Sequence, residues 1–178
     1  MTLNHILSLL ESKISSINCD DFSFMVVKDV EDLIRFSNNA ITVFATTENI
    51  CIEIYIGKDK KRTIGETTNL DEQSISNFIH SLSKQCDDSS INNDYTSLPS
   101  GPFNYVHKNI TDDEPSISHE SMIDHVEVSI NSALKAGASR VSGSFTSSKS
   151  EILLKTSTGA ELTDKSNTHL LNLRAFST

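Results

Sequence analysis

Apolar residues at the start of the chain follow a helical pattern. Leu3, Leu7, Leu10, Ile14 and Ile17 recur at alternating steps of four and three residues, which places them on one face of a helix. A coiled coil usually needs at least three or four sustained heptads, more than this stripe provides. We therefore expect the helix to pack against a sheet.

From Phe22 to about Thr67 the apolar period changes to two, the period of a β-strand. Turn signals at 38–40, 47–49 and 57–60 separate several of the segments. In ICIEIYI the isoleucines all fall on one face, and Cys51, Glu53 and Tyr55 fall on the other. A meander with one buried and one half-polar face is predicted. The strand segments are FSFMVV, DLIRFS, AITVFATT, ICIEIYI and RTIGETT.

Two more helices and a final group of strands follow. A helix is predicted to start near Asn69, with Glu72 completing a capping box. Residues 87–117 contain all three prolines and read as a long polar loop. The next helix is predicted from Ser118 to Ala136, with Gly137 at the position after its C-cap. The strand segments SRVSGSFTS, SEILLKTS and THLLNLRAF close the chain, with a turn at 157–159.

This order of elements predicts an α+β fold, a two-layer sandwich with a mainly antiparallel sheet and helices packed on one face. We expect residues 1–178 to form a single domain. Its parts are a helix, strand meander and helix (1–86), the polar loop (87–117), and a helix and strands (118–178). Because the segment THLLNLRAFST keeps strand character almost to its last residue, we also expect the domain to be a fragment of a longer parent chain.

Composition and charge disfavour nucleic acid and a membrane as binding partners. The formal net charge of −9 disfavours nucleic acid, because phosphates need a positive surface. The one basic cluster, GKDKKR at 57–62, is predicted to be a solvated hairpin tip. No run approaches the ~18 apolar residues that a membrane span requires, and the first residues lack the pattern of a secretion signal. Three widely spaced cysteines without a CxxC pair favour reduced thiols in a cytoplasm.

The segment SHESMIDH raises the question of a zinc site. Two zinc ligands on a helix need a spacing that puts them on one face, whereas His119 and His125 are six residues apart. That spacing leaves them roughly 120° apart around the axis and ~9 Å along it. Glu120, in the first turn after Ser118, suits the positive end of the helix dipole. We interpret all three residues as capping and solvent-facing groups.

Other patterns supply no catalytic, cofactor-binding or metal site. The chain lacks a G-x-S-x-G nucleophile motif, since GASRV at 137–141 reads as a helix end. The acidic run TDDE at 111–114 lacks the spacing of a calcium loop. The remaining histidines lie far apart in sequence, without a local triad pattern; they are His5, His80, His107 and His169.

The order of these segments resembles the N-terminal region of the TldD/PmbA family, the so-called modulators of DNA gyrase. The resemblance runs through DLIRFSNNAITVF, ENICIEIYIGKDKKRTIGETTNLDEQSISNFIHSLSKQ and LPSGPFNY. It continues through MIDHVEVSINSALKAGAS, EILLKTSTG and LNLRAF, and so covers about residues 1–178. Where the family often has glycine at turns, this chain has Asn39 and Asn49, and asparagine tolerates positive φ. Arg62 and Gly65 stand where the family tends to have a similar pair.

The resemblance implies a two-part parent: this α+β domain and a larger C-terminal domain that carries an HExxxH zinc motif in the proteolytic branch. HESMIDH has one residue too many for that motif and lies too far upstream. The family context implies no cofactor in this fragment, zinc in the parent's C-terminal domain, and a cytoplasmic homodimer or heterodimer with a paralogue. It also implies peptide or partly unfolded protein as substrate, with no nucleic acid and no membrane.

The leading hypothesis is therefore the non-catalytic N-terminal domain of a TldD/PmbA-like metallopeptidase, which shapes the substrate chamber and subunit contacts. Alternatives are the noncatalytic partner subunit of that complex and a stand-alone acidic interaction module. A third is an independent hydrolase in which the fold brings Ser, His and Asp together.

Overall fold

The computed structural model describes residues 2–104 and 117–177. Three helices and five strands alternate in blocks along the chain, and the strands form one sheet in the order β3-β2-β1-β4-β5. The predicted fold class, an α+β sandwich with an antiparallel sheet, is confirmed. The elements are α1 (Leu3–Ile14), β1 (Asp21–Ser37), β2 (Ala40–Lys58), β3 (Lys61–Thr67), α2 (Glu72–Asp88), α3 (His119–Lys135), β4 (Arg140–Thr156) and β5 (Glu161–Phe176).

The chain divides into two compact units, and four of its strands contribute residues to both. The first unit comprises Met1–Lys28, Asn49–Lys108 and Glu151–Asp164. In its core, the apolar faces of α1 and α2 pack against alternate residues of the strands. The isoleucine face predicted for ICIEIYI is confirmed, since Ile52, Ile54 and Ile56 are buried in this core. The buried members of the core are Leu3, Ile6, Leu7, Leu10, Ile14, Phe24, Val26, Ile52, Ile54, Ile56, Ile75, Ile79, Leu82, Cys86 and Leu153.

The second unit comprises Asp29–Glu48, Asn109–Ser150 and Lys165–Thr178. Its core is built from one face of α3 and residues of β1 and β4; the members are Ile34, Phe36, Met122, Val126, Ile130, Val141 and Phe145. The spacing of Ile123, Val126 and Ile130 predicts that all three lie on the buried face of α3, and for Ile123 this prediction is wrong. Ile123 is exposed and Met122 is buried instead, because the face of the helix that meets the strands is rotated by about one residue.

The hairpin between β2 and β3 forms as the sequence predicts. Lys58 pairs with Lys61, and the two residues between them, Asp59 and Lys60, have φ of 50° and 61°. Two successive residues with positive φ give the turn whose twist matches that of the flanking strands. The basic cluster 57–62 is therefore a hairpin tip.

Several predicted boundaries are wrong. No turn forms at 47–49, since β2 runs without interruption from Ala40 to Lys58. Helix α2 begins at Glu72 rather than near Asn69, because the side chain of Asp71 caps it by accepting a bond from the Ser74 N–H at 2.9 Å. Helix α2 also extends to Asp88, so it includes the first two residues of the predicted loop 87–117.

The third helix agrees with its predicted ends. Ser118 is its N-cap, and its hydroxyl accepts a bond from the Ser121 N–H at 3.1 Å. Gly137 follows the C-cap with φ of 100°, a conformation that glycine adopts without a steric cost. Much of the predicted loop, residues 105–116, lies outside the described residues.

Candidate functional site

His119 lies at the start of α3, where its Nε2 is 3.2 Å from Oδ1 of Asp32. Its ring also makes an edge contact with Phe44, with ring centroids 4.8 Å apart. The Thr46 hydroxyl donates to the same Asp32 oxygen at 2.6 Å. Because the hydroxyl bonds to the carboxylate and not to the imidazole, this cluster lacks the nucleophile–base contact that a hydrolase needs. It is a structural contact between α3 and β1.

His125 is exposed, and its ring lies 6.1 Å from that of Phe145. His169 approaches the same phenyl ring, at 6.4 Å. The fold thus brings two sequence-distant histidines to one aromatic side chain. Within residues 2–104 and 117–177, no three metal-binding side chains form a group that could hold an ion. His107 and the acidic run 111–114 lie outside those residues, and the expected lack of zinc remains a prediction.

Two of the three cysteines are poor nucleophiles. Burial raises the pKa of the Cys19 thiol, and the neighbouring Asp20 and Asp21 raise it further. Burial likewise raises the pKa of Cys86, whose Sγ lies 3.7 Å from the Ile56 carbonyl oxygen. A thiol reacts as its thiolate, so neither residue suits covalent catalysis at neutral pH. Cys19, Cys51 and Cys86 do not form disulfides with one another.

Asp21 is a buried carboxylate that holds the segment after α2 against the sheet. The Tyr95 hydroxyl donates to Asp21 Oδ2 at 2.6 Å, and Asp21 is only 4 % exposed. Burial, and then the hydrogen bond to Asp21, raise the pKa of Tyr95 above its ordinary value. The phenol keeps its proton at any physiological pH, so the pair acts as a fixed tie and not as an acid–base site.

Strand β5 offers a different kind of site. It is an edge of the sheet, bonded on one side to β4. Nearly every residue from Thr168 onward is exposed, including four large apolar side chains; these are Leu170 (53 %), Leu171 (41 %), Leu173 (37 %) and Phe176 (39 %). Unpaired backbone groups beside exposed apolar side chains are a template for pairing with another extended chain.

The opposite edge, β3, is less open. It has only seven residues, Lys61–Thr67, and α2 packs against it. Gly65 lies so close to α2 that an added Cβ would meet Leu82 at 2.7 Å. Charged residues also line this strand, and they disfavour pairing at an edge. Of the two edges, β5 is therefore the better candidate for binding.

The β5 edge adjoins an open groove of about 700 Å³ in the second unit. Polar side chains dominate its lining, and two of them are arginines. Phe36, almost fully buried, contributes an apolar surface. The lining residues come from β1, β2, β4 and β5; they are Arg35, Phe36, Ser37, Thr42, Ser142, Gly143, Ser144, Asn172, Leu173 and Arg174.

Gly143 lets β5 and Phe36 approach β4 closely at this groove. A Cβ at this position would lie 2.0 Å from the Asn172 carbonyl oxygen and 2.6 Å from the Phe36 ring. The first of these is a backbone atom, so the strand itself would have to move. Gly143 therefore fixes the path of β5 beside the groove.

The end of β5 is held in place by two residues at the start of β4, Ser139 just before the strand and Arg140 as its first residue. The Ser139 backbone N–H and hydroxyl both donate to the Phe176 carbonyl oxygen, at 2.8 and 3.1 Å. The Arg140 guanidinium lies 4.5 Å from the centre of the Phe176 ring, a cation–π contact. The edge is thus presented in a defined position.

No protein-family profile matches this chain, and no curated protein matches it either. Solved structures do. TldE from Thermococcus kodakarensis matches with a TM-score of 0.73 and 14 % identity over 97 % of this chain. A protein from Thermotoga maritima, provisionally named a modulator of a DNA gyrase, matches with a TM-score of 0.73 and 13 % identity over 98 %. The chain has the TldE fold.

A third structure with this fold comes from Bacteroides thetaiotaomicron and is also provisionally named a modulator of DNA gyrase. It has a TM-score of 0.79 and 10 % identity over 97 % of this chain. The resemblance to TldD/PmbA proteins is thus confirmed at the level of the fold. The chain spans 40 to 42 % of the length of these three proteins.

His125 is exposed, as the sequence predicts, but the groove and the open edge were not predicted. THLLNLRAF was predicted as a strand, and its consecutive leucines were a usable signal. Leu170 and Leu171 point to opposite faces of β5, so one sheet face cannot bury both. The groove gave no such signal, because it is lined by three stretches that are distant in sequence, 35–42, 142–144 and 172–174.

None of the helices within the described residues is both long and apolar enough to cross a membrane.

Proposed function

We propose that this chain is the N-terminal, non-catalytic domain of a TldD/PmbA-like metallopeptidase complex, which acts in the cytoplasm on peptides or partly unfolded proteins. Its part is to shape the substrate chamber and the subunit contacts. Bond cleavage, where the parent belongs to the catalytic branch, takes place at zinc in another domain. In the noncatalytic branch, the same domain serves the partner subunit.

Within this role, β5 receives an extended peptide by β-augmentation. The observation that supports this is the exposed edge of β5, with apolar side chains on both faces and a fixed end at Phe176. Main-chain hydrogen bonds supply affinity in this mode and depend little on sequence. A protein that handles varied peptides or unfolded chains needs such a mode of binding.

Binding is tested with a fluorescent neutral hexapeptide of high β-propensity, acetylated and amidated at its ends, titrated with the purified chain. Two further versions carry N-methyl groups at the odd or the even positions. Because alternate amides of a paired strand face its neighbour, methylation should weaken binding in one version only. Equal binding by both methylated versions contradicts β-augmentation.

A matched pair of variants locates the binding edge. Leu170 and Ile64 are both exposed, at 53 and 60 %, and lie on opposite edge strands. A lysine on an edge strand disfavours pairing with another strand and removes apolar contact area. Leu170→Lys should therefore weaken peptide binding about 5-fold. Ile64→Lys should leave it unchanged. Equal weakening by the two variants would reject β5 as the site.

A further inference from the structure

We infer that the groove beside β5 is a carboxylate-binding subsite, in which Arg35 and Arg174 select an acidic group of the bound peptide. This inference rests on the proposed function, because the peptide on β5 brings the carboxylate to the groove. It adds a preference for substrate chemistry, which β-augmentation alone does not supply.

The groove concentrates positive charge in an acidic protein. The chain has a net charge of −9 and only four arginines, yet two of these line the groove, and none of the described residues that line it is Asp or Glu. Neither guanidinium has an ion pair with any residue in 2–104 or 117–177. Both side chains are exposed and therefore available to a ligand.

Hydroxyl groups complete the polar surface around the two arginines. Ser37, Ser142 and Ser144 line the groove together with Thr42, whose hydroxyl donates to the Arg35 carbonyl oxygen at 3.2 Å. Arginine presents a planar set of donors that matches the two oxygens of a carboxylate, and hydroxyls supply further donors. A volume of about 700 Å³ accommodates a Glu side chain or a peptide terminus.

The position of the groove matches the geometry of an added strand. Asn172, Leu173 and Arg174 belong both to β5 and to the groove lining. Alternate side chains of a peptide paired with β5 project to the same face of the sheet. Arg174 lies on β5 itself, so one acidic side chain in the right register would reach it. Arg35 lies on β1, two strands and about 10 Å further in, where a terminal carboxylate or a long side chain that enters the groove would meet it.

Three hexapeptides test the inference, all with the same β-prone sequence. One has a central Glu and blocked ends, one a central Gln and blocked ends, and one the central Gln with a free C-terminal carboxylate. At least one of the two peptides that carry a carboxylate should bind about 5-fold more tightly than the blocked Gln peptide, in spite of the acidic net charge of the protein. The peptide that gains affinity identifies the source of the carboxylate.

The variants Arg35→Gln and Arg174→Gln should each remove most of this preference and leave binding of the blocked Gln peptide unchanged. Arg62→Gln is the matched control, because it removes the same charge from an exposed position on β3, and it should keep the preference. Equal binding of all three peptides, or loss of the preference in Arg62→Gln as well, overturns the carboxylate subsite alone. Failure of every peptide to bind overturns the proposed function too.

Discussion

Asn38 and Asn39 turn the chain from β1 into β2 with φ of 51° and 67°. Asparagine tolerates this left-handed region better than most residues, which explains why the turn survives without glycine. Asn39 does more than turn the chain. Its Oδ1 accepts a bond from the Val141 N–H at 2.7 Å, and its Nδ2 donates to the Ser139 carbonyl oxygen at 3.3 Å. The turn is thereby attached to the start of β4.

Substituting the two asparagines separates these roles. Asn38→Gly retains the turn and should change the free energy of unfolding by only a few tenths of a kcal/mol. Asn39→Gly also retains the turn but leaves the N–H of the buried Val141 without its acceptor, so it should cost about 1–2 kcal/mol. Urea denaturation of both variants measures the difference. Equal values would mean that the Asn39 side chain contributes nothing to stability.

Asn49 lies in a strand, whereas Asn39 lies in a turn. The sequence predicts a turn at both asparagines, but β2 continues through Asn49, whose side chain is exposed. An asparagine permits a turn without requiring one. The apolar residues of β2 find partners on both sides of residue 49, so the strand continues through a locally polar stretch.

At the scale of elements, helix α2 depends on a charged cap. Hydrogen bonds from the Ser74 hydroxyl and then from its backbone N–H lower the pKa of Asp71 below its ordinary value. Asn69 supports the cap by donating to the Ser74 hydroxyl at 3.0 Å. Because the pKa is lower in the folded state, the ionised cap stabilises the fold above the unfolded pKa. This stabilisation disappears as the pH falls through the folded pKa.

Asp71→Asn should therefore differ from the natural chain in its pH dependence. Asparagine is also a good N-cap but has no charge to lose. The advantage of Asp71 in melting temperature, present near pH 6, should shrink as the pH falls below about 4. Asp71→Ala, which removes the cap at any pH, should be less stable than Asp71→Asn throughout. Parallel melting-temperature curves for the natural chain and the Asp71→Asn variant between about pH 6 and pH 3 would contradict the role of the charge.

The helices were more predictable than the lengths of the strands. The ends of α3 could be assigned because Ser118 and Gly137 have specific chemical roles at helix ends. By contrast, β1, β2 and β4 were each predicted as two segments but form single strands of 17, 19 and 17 residues. Polar residues in a half-exposed strand resemble those of a turn, and only the pairing of the complete sheet distinguishes the two.

At the scale of the molecule, the described residues form two hydrophobic cores and contain no group of three side chains that could hold a metal ion. The sequence predicted the fold class, since each element carries its own period. It did not predict the groove, which depends on how four strands are ordered in the sheet. Local patterns contain little information about such an arrangement.

The isolated chain should contain no stoichiometric zinc. His119 contacts Asp32 and His125 lies beside Phe145, and a spacing of six residues separates them around the helix. Metal analysis after dialysis against micromolar zinc and then buffer should therefore find far less than one zinc per chain. Tight zinc that is lost in His119→Ala or His125→Ala would show that the domain has a metal site of its own.

The free edge of β5 also affects how its backbone amides exchange with deuterated water. Amides that bond to β4 are protected by the sheet, while those that point outward meet solvent directly, and the two kinds alternate along an edge strand. Exchange rates in the second half of β5 should therefore rise and fall with every second residue. A chain paired along that edge would slow the fast set and smooth the alternation, residue by residue.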